Sequence, residues 1–260
     1  MTERLVYARN RYPCITRRAG IVCCALLFSL SDTFAAQATE LRLNDTNDPP
    51  LTTPAHDGFL DIIADAAFKR LNFKLHLIHL PAERALIDAN AGTLDGEFTR
   101  IEGLEKQYPN LIRVPEKLVD WVFCAFSKDS SIPANWTSLR QHSVGLIKGW
   151  KIYERQMQGA RRLLTANDPE QLFRLLELGR VDVILYAQAT GVALIARDGL
   201  KDIYQLTPPL ETREMFIYLH KRHARVALKL GHVLREMKES GFYQQVYREK
   251  LQPYRETHRP

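Results

Sequence analysis

The sequence predicts an α/β protein of two lobes, in which each lobe has a mostly parallel sheet flanked by helices. Short apolar strands alternate with helices along nearly the whole chain, which is typical of strand–helix–strand units with parallel strands. The alternation breaks once, after the third strand, and a second set of elements then begins. Since no repeat, low-complexity stretch or flexible linker marks the break, we expect a firm connection between the lobes.

The first set of elements forms two consecutive strand–helix–strand units. Strands are predicted at residues 41–44, 74–80 and 94–99, and a helix at 82–90. Another helix begins at Gly58, because apolar side chains recur at helical spacing at positions 59, 62, 63, 66 and 67. Gly92 follows the helix at 82–90, and a glycine just beyond the last turn commonly ends a helix.

The second set of elements repeats this alternation. Strands are predicted at 119–126, 143–147, 181–186, 203–206 and 215–219, and helices at 188–197, at 224–239 and after Gly241. A further helix starts at Asp168, which supplies a capping carboxylate, followed by proline at the first helical position and Gln171 three residues past the cap. Leu172, Leu175 and Leu176 give this helix its buried stripe, and Gly179 is expected to end it.

The first 38 residues have the composition of an export signal. Five arginines precede an apolar run at 19–30, and Ala36-Gln37-Ala38 supplies the small residues that signal peptidase accepts. As a helix the run would measure about 18 Å, too short for a hydrocarbon core of about 30 Å. The alternative, a buried N-terminal helix, leaves the arginines without partners. We expect cleavage after Ala38 and, since no lipidation cysteine ends the run, release into the periplasm.

Charge and cysteine content narrow the classes of function. Five of the 36 basic and two of the 30 acidic residues lie in the predicted signal, so the remainder carries +3 rather than +6. This balance gives no support for a nucleic-acid partner. Only Cys124 remains outside the signal, so no internal disulfide is expected and stability rests on packing. We therefore interpret Cys124 as a small hydrophobic side chain in a buried strand rather than as a catalytic cysteine.

Six short motifs occur in order along residues 40–252. They are Pro49-Pro50-Leu51, Gly58-Phe59, Pro81 with Arg84-Ala85-Leu86, Gly92 to Asp95 with Thr99-Arg100, Gly149-Trp150 after the strand at 143–147, and Gly179-Arg180-Val181-Asp182. This order resembles the family 3 periplasmic solute-binding proteins, which have the type II fold of polar amino-acid receptors. The resemblance implies a first lobe at 39–118 and 219–260, a second at 119–218, and hinges near 118–122 and 215–219.

The resemblance also implies a function. A small polar or anionic solute, an amino acid or a related carboxylate, would bind between the lobes and close them. The protein would then be a monomer without cofactor or metal that delivers its ligand to the membrane permease of an ABC importer. Presentation of the closed form to a membrane sensor is an alternative that the chain does not distinguish from transport.

Candidate ligand-binding residues lie where strands of an open α/β sheet reach their carboxyl ends. These segments are 44–51, 97–100, 149–150 and 186–188, and they contribute Asp48, Glu97, Thr99, Arg100, Trp150 and Tyr186. Arg100 is the first candidate, because a guanidinium pairs with both oxygens of a carboxylate, and the resembled family uses an arginine here. The alternative is a surface arginine paired with Glu102 or Glu105.

Other candidates have equally open alternatives. Arg84 is a second candidate for anion binding, but it would also fit the solvent side of its helix. Trp121 and Trp150 would serve either as cleft walls or as core aromatics. His76 with His79 and His220 with His223 are poorly placed for a metal site.

Two positions depart from the resembled family. Ala187 stands where an aspartate commonly binds the ligand amine, and Leu51 replaces an aromatic residue that stacks on the ligand. Glu97 would have to supply an anion for an ammonium group. The rival hypothesis is an enzyme resembling the periplasmic cyclohexadienyl dehydratases, with Glu97 as general acid. Such a role needs a raised pKa, whereas we expect the adjacent Arg100 to lower the pKa of Glu97.

Overall fold

The computed structural model describes residues 39–45 and 48–255. The predicted export signal at 1–38 lies outside the described residues. Within those ranges, none of the helices has the length and apolar character needed to span a bilayer.

Strands and helices alternate through the described chain. The strands are β1 (Thr39–Asp45), β2 (Phe73–His79), β3 (Gly96–Ile101), β4 (Leu111–Arg113), β5 (Val119–Ser127), β6 (Ser143–Ile147), β7 (Arg162–Ala166), β8 (Val183–Ala187), β9 (Tyr204–Gln205) and β10 (Glu211–His220). The α-helices are α1 (Phe59–Arg70), α2 (Ala82–Ala91), α3 (Trp136–Leu139), α4 (Lys151–Gln156), α5 (Pro169–Glu177), α6 (Gln188–Asp198), α7 (Ala224–Glu239) and α8 (Phe242–Lys250). Every predicted strand and helix is present, with shifts at the ends.

Hydrogen bonds join the strands in the order β2-β1-β3-β10-β5-β8-β6-β7, with β4 added at β10 and β9 at β5. At one end β2, β1 and β3 run parallel, and at the other end β8, β6 and β7 run parallel. Between these groups, β5 and β10 pair antiparallel over residues 119–123 and 211–215. The sheet therefore consists of two parallel groups joined by an antiparallel pair of strands.

The loop after β1 is fixed where α1 begins. A Cβ atom on Gly58 would lie 2.5 Å from the carbonyl oxygen of Leu51, so only glycine fits at this N-cap. Asp61 accepts hydrogen bonds from the backbone N–H groups of Gly58 at 3.0 Å and Thr53 at 2.8 Å. The start of the helix at Gly58 was predicted from the sequence, whereas the role of Asp61 was not.

Two predictions about the second set of elements are confirmed. Asp168 caps α5, since its Oδ1 accepts a hydrogen bond of 2.7 Å from the backbone N–H of Gln171. Leu172 and Leu176 of that helix are buried, and Leu175 is half-buried. Cys124 is fully buried in β5, as expected of a small hydrophobic side chain in a buried strand. Burial raises the pKa of its thiol to about 12.

The short elements α3, α4, β4 and β7 were not predicted. Strand β7 lies at the edge of the sheet with mostly exposed side chains, so its sequence lacks a buried strand's pattern. Strand β10 begins at Glu211 rather than at position 215, because its first half pairs with β5. Residues 211–214 are mostly charged, so this half of the strand has no hydrophobic pattern that would predict it from the sequence.

Candidate ligand-binding site

A cavity of about 280 Å³ lies where the carboxyl end of β3, the turn after β6 and the middle of β5 and β10 converge. Its lining includes Leu86, Thr99, Arg100, Ile101, Leu104, Trp121, Phe123, Gly149, Trp150, Lys151, Ile152 and Met215. The volume is close to the lower end of small-molecule sites, roughly 300 Å³. Both parallel groups of strands contribute to the walls, so the cavity occupies the gap between them.

The turn after β6 closes this cavity against the start of α2. Gly149 has a φ of +91°, and a Cβ atom there would lie 2.9 Å from the backbone nitrogen of Glu83. Only glycine permits this approach. Next to it, Lys151 forms an ion pair with Glu83 in the first turn of α2 and another with Glu154 at 3.3 Å. Gly149 was predicted from its place in the turn, whereas Lys151 was not, because it belongs to no motif.

The structure places Arg100 at the cavity wall with a largely buried side chain, 11% exposed. Its guanidinium lies 2.8 Å from Oε2 of Glu97 and donates a hydrogen bond of 3.2 Å to the carbonyl oxygen of Ala82. The alternative pairing with Glu102 or Glu105 is wrong: Glu102 pairs with Arg113, and Glu105 accepts a hydrogen bond from a tyrosine.

Glu97 is buried behind Arg100. Only 1% of its side chain is exposed, and it is absent from the described lining of the cavity. Burial raises the pKa of Glu97 to about 7, although the positive charge of Arg100 and a hydrogen bond with the side chain of Asn44 act in the opposite direction. Arg100 does lower this pKa, as expected, but the net shift is upward, because desolvation of the carboxylate outweighs its pairing.

Several polar atoms at the cavity are buried without a hydrogen-bond partner in the described residues: Nε of Arg100, Oγ1 of Thr99 and Nε1 of Trp121. All three can donate a hydrogen bond. A buried donor left without an acceptor costs about 1–3 kcal/mol, so such atoms usually meet a ligand or water. The three residues that carry these atoms line one cavity, which favours a ligand with acceptor oxygens.

Aromatic rings form the opposite wall. Trp150 stacks on Tyr186, with ring centroids 5.1 Å apart, and on Tyr153 at 5.8 Å. It also meets Trp121 edge-on at 5.7 Å. Trp121 and Trp150 line the cavity and also pack against the core, so the two alternatives for these side chains are compatible.

Tyr186 and Asp48, two further predicted site residues, contact each other outside the cavity. Both are buried, and the hydroxyl group of Tyr186 donates a hydrogen bond of 2.5 Å to Oδ1 of Asp48. Leu51 and Ala187, the two positions that depart from the resembled family, line a separate gap of about 10 Å³. Such a gap is at the limit for a single water molecule. The structure therefore closes this part of the predicted cleft.

Arg84 is also apart from the cavity. Its side chain is 69% exposed and pairs with Asp88 one turn along α2, at 2.9 Å. The helix turns this position toward solvent, whereas Leu86 of the same helix lines the cavity. Of the eight predicted residues, the structure brings Arg100, Thr99, Trp121 and Trp150 to the cavity wall. Within residues 39–45 and 48–255, no cluster of three or more potential ligands for a metal ion is present.

The chain is similar to known proteins in sequence and in structure. No family model matches the chain. An uncharacterized protein of Shewanella oneidensis is 25% identical over 258 residues, which cover 90% of this chain and 96% of the relative. The relative thus matches this chain over nearly its whole length.

Solved structures share the fold at low sequence identity. An ancestral arginine-binding protein bound to arginine is similar with a TM-score of 0.72 and 19% identity, covering 82% of this chain and 99% of that chain. A histidine kinase sensor domain with similarity to periplasmic binding proteins has a TM-score of 0.73 and 16% identity, covering 82% and 96%. The ancestral amino-acid-binding protein AncCDT-1, a precursor of cyclohexadienyl dehydratase, has a TM-score of 0.68 and 15% identity, covering 82% and 96%.

These similarities confirm the predicted fold class, the two-lobed α/β fold of type II periplasmic binding proteins. The predicted resemblance to the periplasmic amino-acid-binding proteins is confirmed at the level of the fold.

Proposed function

We propose that the protein is an extracytoplasmic solute-binding protein that captures a small solute with a carboxylate group, an amino acid or a related acid, in the cavity beside Arg100. It would deliver this ligand to the permease of an ABC importer. The fold supports binding of a solute, because the similar solved structures include a protein bound to arginine. The export signal at 1–38 and release by cleavage after Ala38 belong to the same proposal.

One observation carries the choice of ligand: a buried guanidinium lines a cavity together with further unsatisfied donors. In the described chain, Nε of Arg100, Oγ1 of Thr99 and Nε1 of Trp121 lack acceptors. A carboxylate offers two oxygens with about four acceptor sites, which match this set of donors. Trp121, Phe123 and Trp150 make part of the wall aromatic, which suits a ligand with an apolar or aromatic body. Lys151, Glu154 and Arg155 line another part of the wall.

Binding would close the two proposed lobes, residues 39–118 with 219–260 and residues 119–218. Two contacts between these segments support a closed form: the ion pair of Lys151 with Glu83 and the hydrogen bond of Tyr186 with Asp48. The antiparallel strands β5 and β10 connect the segments and would bend as the hinge. An open form would separate both contacts and expose the cavity.

A binding screen tests this proposal. Purified protein is titrated by calorimetry and thermal shift with L-arginine, L-glutamine, L-leucine, L-phenylalanine, benzoate, phenylacetate and phenylpyruvate. We expect saturable binding of at least one carboxylate, and a loss of about 100-fold or more in the Arg100→Ala variant, since a charged pair is removed.

Arg84→Ala is the matched control, because it removes an arginine of similar sequence position that is exposed and paired on α2. It should bind like the unmodified protein. No binding across the panel, or equal losses in both variants, would reject the proposal.

One observation favours the rival hypothesis of a dehydratase, namely the pKa of about 7 at Glu97. A general acid works best when its pKa lies near the working pH. Against this role, Glu97 is absent from the described cavity lining and is separated from it by Arg100. Turnover of prephenate or arogenate by the purified protein, abolished in Glu97→Gln, would establish the enzyme; absence of turnover would leave binding alone.

A further inference from the structure

The partner of Arg100 is part of the same strand. Glu97 and Arg100 both belong to β3, and Oε2 of Glu97 lies 2.8 Å from the guanidinium. Arg100 lines the cavity, whereas Glu97 is not among the described lining residues. The guanidinium therefore stands between the carboxylate of Glu97 and the space that a ligand would fill.

A carboxylate entering the cavity would meet an arginine whose charge is already balanced. Two carboxylates sharing one guanidinium would leave a net negative charge in a buried site, which is strongly unfavourable. Oε1 of Glu97 is buried and lacks a hydrogen-bond partner within the described residues, so the protein offers this carboxylate little support beyond Arg100 and Asn44. A single proton on Glu97 removes the conflict.

We propose that Glu97 is the resident counter-ion of Arg100, and that a carboxylate ligand takes its place while Glu97 takes up one proton from solvent. This inference rests on the proposed function of the cavity. The charges balance: the ligand brings one negative charge to Arg100, and the proton removes one from Glu97. No covalent bond forms or breaks apart from the O–H bond on Glu97.

The surroundings of Glu97 contain few groups that would compete for this proton. Asn44 on β1 hydrogen-bonds it, and Tyr218 is its neighbour on β10, with a hydroxyl that donates to Ile101 and Glu105. Three other charged or titratable groups lie around Glu97, namely Asp95, Glu83 and Tyr108. Asp95 pairs with Arg222 and His223, and Glu83 pairs with Lys151. The carboxylates among them pair with cations other than Arg100, so Glu97 is the group that changes partner.

The position of the pKa makes the exchange measurable near neutral pH. Burial raises the pKa of Glu97 to about 7 while it is paired with Arg100. Loss of that pairing to a ligand raises the pKa further, because the favourable positive charge is then shared with a second anion. Above pH 7 the ligand-free carboxyl is mostly ionised and the bound one is protonated, so binding consumes a proton and weakens as the pH rises.

Calorimetry measures the proton directly. Benzoate, phenylacetate, phenylpyruvate and L-leucine are titrated at pH 7.5 in phosphate and in Tris, two buffers with very different heats of ionisation. We expect the binding heats to differ by the equivalent of about half to one proton taken up, and affinity to fall up to about tenfold per pH unit above the pKa. In Glu97→Gln, binding should persist with equal heats in both buffers and little dependence on pH.

Glu170→Gln is the matched control, since Glu170 is also a glutamate paired with an arginine, Arg197, but is exposed and absent from the described lining of the cavity. It should keep the proton uptake of the unmodified protein. The unmodified protein decides the question even if Glu97→Gln does not fold. Binding with equal heats in both buffers overturns the inference and leaves the proposed function standing, as does uptake that persists in Glu97→Gln. No binding of any probe overturns both.

Discussion

Two regions hold buried polar side chains where the proposed lobes meet, and they differ in how their hydrogen bonds are completed. At the first, Tyr186 donates to Asp48 beside a gap of only about 10 Å³. At the second, buried atoms of Arg100, Thr99 and Trp121 lack partners in the described chain, and these three residues line a cavity of about 280 Å³. The comparison shows that a buried polar group indicates a ligand only where the protein supplies no hydrogen-bond partner for it.

The largest effect is expected from removing the cation of the second region. Arg100→Met leaves Glu97 buried without its counter-ion, which typically costs about 3–5 kcal/mol of folding free energy when the remaining group is charged. Urea unfolding at pH 8 should show this loss, and unfolding at pH 5 should show much less, because Glu97 is then protonated in the folded protein. The double variant Arg100→Met with Glu97→Gln should recover most of the loss at pH 8. An equal cost at both pH values would contradict the buried charge.

The next effect concerns the pH dependence of the unmodified protein. The pKa of Glu97 is about 7 in the folded protein against an ordinary value of 4.5, so folding favours the protonated form. This contribution is fully present below pH 4.5 and is lost as the pH rises to about 7, a change of about 3 kcal/mol.

Asp61 also has a raised pKa, whereas Asp95 and Asp182 have lowered ones, so the total profile mixes several groups. The useful quantity is the difference between the unfolding profiles of the unmodified protein and Glu97→Gln. That difference should change between pH 4.5 and 7 and stay flat above. Profiles that remain parallel would show that Glu97 does not titrate between pH 4.5 and 7 in the folded protein.

A smaller effect is expected in the first region. Tyr186→Phe removes the donor to Asp48 and should lower the free energy of unfolding by about 1–3 kcal/mol, because a buried acceptor loses a hydrogen bond. Denaturant unfolding of this variant is compared with that of Tyr204→Phe, which changes a half-buried tyrosine in β9. Ligand affinity should change far less than in Arg100→Ala. A loss of affinity as large as that of Arg100→Ala would place Tyr186 in the binding site after all.

The smallest effect is expected on the exposed side of α2. Arg84→Ala removes an exposed pair with Asp88, which typically contributes about 0.3–0.5 kcal/mol before screening by salt. Thermal unfolding should shift by no more than about 1–2 °C for a domain of this size. A large shift would mean that Arg84 has a partner that the surface geometry does not provide.

The fold was predictable where the determinants are local. Asp168 caps its helix through a neighbour three residues away, and Gly92 ends α2 in a left-handed conformation. Both signals lie within a few residues of the feature that they determine. The elements missed, such as β7, take their structure from pairing with a distant strand, which leaves no local pattern.

The site was predictable in part. The carboxyl end of β3 and the Gly149 turn identified one side of the cavity each, because the geometry of parallel sheets brings such segments together. The sequence could not show that Lys151 reaches Glu83, nor that Tyr186 reaches Asp48, since these contacts join residues 68 and 138 positions apart. It also misjudged Glu97, because the depth of burial, and not the adjacent charge, determines its pKa.

The single thiol described in β5 has a practical consequence for studying motion. Cys124 is fully buried, and the high pKa of about 12 keeps it unreactive toward maleimide labels. Cysteines introduced at exposed positions on either side of the antiparallel strands can therefore carry a fluorophore pair while the native sulfur stays in place. Energy transfer between the dyes would then test the proposed opening and closing, one molecule at a time.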